Sequence, residues 1–162
     1  MEELAKEMAE QVQFLFVYTR EAHPGEVFPP QTSYEQKVLH AQAFVKRGQA
    51  ANRTMLIDTL DGQTHRLYGG VSNMSWIIDH TGRVAYKASW TDVKDIRYAL
   101  EEVLEIRNTK RAGGRVQAFY REFSGVRLEK PEPPAGTPRF LGGKKAEEDV
   151  RRYRETHPGE DS

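Results

Sequence analysis

The tightest constraint in this sequence is the order in which short apolar runs alternate with helical patterns. QFLFVYT (residues 13–19) is a run of aromatic and β-branched residues with no polar alternation, the pattern of a strand covered on both faces in a parallel sheet. MLID (55–58) has the length of a second buried strand. SWIID (75–79), the turn His80 to Gly82 and RVAYKA (83–88) form a hairpin, with Gly82 placed for a positive φ. The opening MEELAKEMAEQ spaces Leu4, Met8 and Val12 helically. After a turn-rich stretch from His23 to Thr32, Ser33 and Gln36 fit a capping box. The helix it opens buries Val38, Ala41, Phe44 and Val45 and stops near Gly48, a residue suited to the left-handed end of a helix. A last core helix, capped by Thr91 or Asp92, carries Val93, Ile96, Leu100, Val103 and Leu104 on one face. The order helix, strand, helix, strand, hairpin, helix predicts an α/β layer structure with a mixed sheet.

The core belongs to residues 1–108, because charge, proline and glycine crowd the last third of the 162 residues. Residues 109–126 predict an amphipathic helix packing back through Val116, Phe119, Tyr120 and Phe123. Residues 127–162 predict a Pro/Gly linker and a charged helical tail from Ala146 to Thr156, mobile unless a partner orders it. With 24 Lys+Arg against 24 Asp+Glu there is no net field to steer nucleic acid or an anionic membrane. No apolar stretch approaches the ~20 residues that span a bilayer, and Met1 opens an acidic segment rather than a signal peptide. The expectation is a soluble cytoplasmic protein with neither nucleic acid nor membrane as partner. Zero cysteines exclude disulfides, thiolate metal sites and a thiol nucleophile.

Among residues able to do chemistry, His23 follows the first strand, where loops of α/β sheets gather ligands. His40, His65 and His80 are too scattered for zinc and are expected at the surface; no metal or cofactor is implied. Asp58 and Asp79 end strands, where carboxylates cap turns. Trp76 and Trp90 are expected in the core.

Three strings, FLFVYTREAHPGE, LIDT and YGGVSNMSWIIDHTGRVAYKASWT, resemble the iodothyronine deiodinase family and its bacterial relatives in the thioredoxin superfamily. The resemblance covers about Glu3 to Leu104. It implies a thioredoxin-like fold and reductive chemistry in which a selenocysteine or cysteine at a helix start attacks the halogen of an iodinated phenol. A helix start favours that anion through free amides and the positive dipole end. The resemblance makes His23, Glu21 and Tyr18 auxiliary site residues, with Glu21 holding the His23 ring and Tyr18 a phenolic donor. It makes Tyr68, Gly69, Ser72 and Asn73 the pocket edge, Ser72 standing where relatives carry a proline, usually cis. A trans bond is expected there, since the cis form of a non-proline costs ~3 kcal/mol. The partners implied are a small-molecule substrate and a thiol reductant.

The resemblance also implies that the central strand bearing the nucleophile is missing, together with the nucleophile. That strand would lie between those matching FLFVY and SWIID. Three arrangements are consistent with this: a longer reading frame whose selenocysteine codon is read as a stop, a protein partner adding a strand at the open sheet edge, or direct pairing of FLFVY with SWIID. In the second, the chain is a non-catalytic binding or scaffold protein.

Overall fold

In the computed structural model, which describes residues 1–117, 119 and 142–157, nine elements follow in order. They are α1 (Glu2–Glu7), β1 (Leu15–Tyr18), α2 (Tyr34–Lys46), β2 (Thr54–Ile57), α3 (Gln63–Leu67), β3 (Ser75–Ile78), β4 (Val84–Ala88), α4 (Val93–Arg111) and α5 (Lys144–Thr156). Local chemistry sets most of their ends. Ser33 Oγ accepts the Gln36 N–H at 3.1 Å, while the Gln36 side chain reaches back one residue further than a strict capping box, to the Thr32 N–H at 2.8 Å. Gly48, just past the end of α2, takes φ +78. Asp92 accepts from the N–H groups of Lys94 and Asp95 and so starts α4. In the hairpin, Asp79 Oδ1 accepts from the Thr81 and Arg83 N–H groups, and Gly82 takes φ +81.

The mixed α/β content is as expected, but the strands form two separate sheets. β1 and β2 are parallel, with Leu15 opposite Thr54 and Tyr18 opposite Ile57; β3 and β4 are antiparallel, with Ile77 opposite Tyr86. Direct pairing of β1 with β3 is therefore not the arrangement that forms. Thr54 and Asp58 donate their N–H groups to the carbonyls of Phe14 and Tyr18, so the even-numbered residues of β1 face β2. In a parallel ladder alternate residues bond to opposite sides, which turns the backbone groups of Leu15 and Val17 toward the other edge.

Each sheet is covered on one face. Phe16 and Tyr18 pack on α2 through Phe44, with ring centroids 5.3 and 5.9 Å apart. Their alternates look the other way, leaving Leu15 and Leu56 54% and 44% exposed, against the expectation of a strand buried on both faces. The main core forms on the hairpin: Leu4 and Met8 meet Ile77 of β3 and Ile96, Ala99 and Leu100 of α4, with Val12, Phe14 and Tyr86 packed against them. Trp90 is exposed, because it lies in the turn between β4 and α4, outside any covered face. Val116 and Phe119 are also exposed, while Tyr120 and Phe123 lie outside the described residues, as does most of the expected linker.

α1 is tied to the start of β2 by one carboxylate. Glu2 accepts from the Asn52 N–H at 2.7 Å and from Arg53 Nε at 2.8 Å, and its Oε1 lies 2.7 Å from Arg53 Nη2. Arg53 also stacks over the Phe16 ring, 4.8 Å from its centroid. Burial works against the Glu2 charge, but Asn52 and Arg53 outweigh it and hold its pKa below the ordinary value. Glu2→Ala is expected to lower unfolding free energy by about 1–2 kcal/mol in urea denaturation, since charge-assisted bonds to partly buried groups are lost.

Candidate functional site

Where β1 ends, a buried phenol meets a carboxylate. Tyr18 is 4% exposed, its side chain pinned against Phe44, and its hydroxyl accepts from Gln31 Nε2 at 3.2 Å and donates to Glu21 Oε2 at 3.5 Å. Burial first, then the negative charge of Glu21, pushes the phenol up to about 12, so it stays protonated as a donor across the physiological range. Burial also raises Glu21, opposed by bonds from the His23 N–H, Tyr18 and the Ala22 N–H. The sharp turn after β1 therefore draws together Tyr18, Glu21 and His23, the three residues the resemblance names. One detail differs: Glu21 Oε1 takes the backbone N–H of His23 at 3.3 Å, whereas the expected bond was to its ring. A carboxylate two residues before a backbone amide closes on it readily. Burial first, then the charge of Arg154, lowers the His23 pKa and favours its neutral ring, an acceptor of protons rather than a donor.

Beside this turn lies a pair that sequence reasoning missed. Lys37 is 1% exposed, and its Nζ donates to the Thr59 carbonyl at 2.8 Å. Burial lowers its pKa; the charges of Asp58 and Asp61 oppose that. Asp58 is 2% exposed and accepts from the N–H groups of Thr59, Thr64 and His65 at 2.8, 2.8 and 2.9 Å. Burial alone would raise it, but the His65 and Thr64 N–H groups hold it down at about 2. Asp58 thus caps the start of α3, the turn-capping role expected of a carboxylate ending a strand. The signal that could have marked Lys37 was its position four residues before Ala41, on the buried stripe of α2.

The other implied pocket edge sits at the start of the hairpin. Tyr68 packs edge-on against Trp76 with centroids 5.4 Å apart, and it is 41% exposed. Gly69, Gly70 and Asn73 all have positive φ, and the peptide bond into Ser72 is trans as expected. Thr91 Oγ1 donates to the Asn73 carbonyl and bonds Ser75 Oγ. The Tyr68, Gly69 and Gly70 N–H groups of this loop donate to the carbonyls of Thr64, Arg66 and His65 in α3, which Asp58 caps, while the described hydrogen bonds of Tyr18 and Glu21 stay within the β1–β2 half.

The start of α1 lies at the far end of β1–β2 from the Tyr18 turn. Glu2 bonds Asn52 and Arg53, which precede β2, while Tyr18 and Asp58 end the two strands. Five residues of strand separate Arg53 from Asp58, or about 16 Å. His40 and His65 are half-buried, not at the surface as expected; the His40 ring packs edge-on against Phe28, and of these three only His80 is exposed. Among the described residues there is no cluster of three potential metal ligands, and no helix is long and apolar enough to cross a membrane. No family model, no curated protein and no solved structure matches the chain.

Proposed function

We propose that the chain is the substrate-holding part of a thioredoxin-like, deiodinase-related redox domain, and that it performs no reductive turnover by itself. The observation that carries this is the Tyr18 turn: a protonated buried phenol, a carboxyl group and a neutral histidine gathered at the carboxyl end of a parallel strand whose other edge, among the described residues, has no strand beside it. The implied reaction replaces a ring iodine by hydrogen and releases iodide while a thiol or selenol pair is oxidised. This chain has no cysteine to be oxidised, so the reactive group must come from outside these residues. Its own contribution is to bind a phenol: Tyr18 donates a hydrogen bond and His23 accepts one from the ring hydroxyl.

A second reading, a non-catalytic binding or scaffold protein, is favoured by the placement of α1. Its start is tied to Asn52 and Arg53, about 16 Å along the strands from the Tyr18 turn, whereas a reactive residue at a helix start would have to face that turn.

One experiment separates them. The purified chain is titrated with 3,5-diiodotyrosine, followed by Trp fluorescence and by calorimetry, and iodide release is measured with excess dithiothreitol. The redox-domain reading expects saturable binding that falls at least tenfold in His23→Ala, a loss of about 1.4 kcal/mol, with no iodide released. Absence of binding would favour the scaffold reading, and iodide release would refute the claim of inactivity.

A further inference from the structure

The carboxyl-terminal helix is not loose: α5 is docked on the turn that carries His23. Glu26 Oε1 and Oε2 accept the Lys144 and Lys145 N–H groups at 2.8 and 3.1 Å, satisfying two of the free amides at the start of α5. The Val27 N–H donates to the Gly142 carbonyl at 3.2 Å. The two backbones come so close that a side chain on Gly25 would strike the Gly142 carbonyl, and one on Gly142 would strike the His23 carbonyl. Ala146 is 1% exposed beneath this contact. The short repeat His-Pro-Gly-Glu at residues 23–26 thus supplies both the histidine and the glycine and carboxylate that seat the helix.

The docking is confined to one end. Beyond Ala146 only Glu147 and Val150 are partly covered, and residues 151–157 are all exposed. A helix held through its first turn by a few backbone contacts opens at free energies well below that of the whole fold.

We propose that α5 is a releasable clamp on the His23–Phe28 turn, fixing His23 beside Glu21 when docked and freeing the turn when it lifts. This regulatory role rests on the reading of Tyr18, Glu21 and His23 as the functional site. Arg154 stands close enough to act electrostatically on His23, so the histidine itself reports whether α5 is in place.

The test uses the full chain, with amide hydrogen exchange and NMR titration of His23. Gly142→Val should raise exchange at Val27, Lys144 and Lys145 on the order of tenfold, leave the α4 amides unchanged, and move the His23 pKa up toward its ordinary value. Arg154→Gln, which keeps the docking contacts, should raise the His23 pKa while Val27 stays protected. Val27 exchange and His23 titration both unchanged in Gly142→Val would overturn the clamp. Neither readout involves ligand, so failure of 3,5-diiodotyrosine to bind the unmodified chain would sink the site reading and leave the clamp decided on its own terms.

Discussion

Asp58→Ala is expected to lower the unfolding free energy by about 3 kcal/mol near neutral pH, read from urea denaturation. The carboxylate takes three backbone N–H groups from Thr59, Thr64 and His65, and their loss leaves each short of a partner at the half-buried start of α3. An orphaned buried donor costs ~1–3 kcal/mol, discounted here because Thr59 lies at the surface and can bond water. Lys37 loses part of the charge that keeps it protonated while buried, which adds in the same direction. The effect carries a pH signature. A carboxyl held at about 2 in the fold, against an ordinary 3.8, binds its proton less readily folded than unfolded. Its stabilisation is complete above about pH 4 and is lost as pH falls toward 2. The gap between the unmodified chain and the variant should therefore shrink between pH 6 and pH 2.5. A gap that stays constant would show that the carboxylate acts through packing alone.

The same pair shows why only part of the fold was legible. The hairpin, the Ser33 cap and the Asp92 cap were read correctly because donor and acceptor lie within four residues, and the sequence shows both at once. Lys37 has no such local mark; its partners are Thr59 and Asp58, more than twenty residues on. Glu2 with Arg53, and Glu26 with Lys144, are separated by 51 and 118 residues, so nothing local marks them. The tail was expected to be mobile because Val150 and Tyr153 offer a thin apolar seam. Its anchor turned out to be backbone and carboxylate chemistry at Gly142 to Lys145, which hydrophobic periodicity does not register.

Site residues divide in the same way. Tyr18 and Glu21 were named by resemblance, and His23 also by its place after a strand; the strand and the turn that follows it bring the three to one end of the sheet. The pocket edge at Tyr68 to Asn73 was placed by resemblance alone; its described hydrogen bonds run from Tyr68, Gly69 and Gly70 to α3 and join the Asn73 carbonyl to Thr91. Whether one ligand touches both groups depends on how the two sheets are bridged. The exposed Leu15 and Leu56, and the outward backbone groups of Leu15 and Val17, mark where a bridging strand would add surface and hydrogen bonds together.

Phe28→Ala tests whether the site turn has a foundation of its own. Phe28 is 2% exposed and among the largest fully buried side chains, yet it stands outside the core cluster of α1, β3 and α4. Its ring packs edge-on against His40 at 5.3 Å and beneath the Arg47 guanidinium at 4.7 Å, both on or next to α2, while its carbonyl takes the Gly25 N–H at 2.9 Å. Truncating a buried phenylalanine costs ~3–5 kcal/mol. Because the contacts here tie a turn to a helix, most of that loss should appear as local opening. Hydrogen exchange at Gly25 and Val27 should accelerate at least a hundredfold, α5 should lose its seat, and the α4 amides should hold until the global transition. Uniform acceleration across α4 and the turn would mean that the turn and the core melt as one unit, and that Phe28 belongs to the global fold.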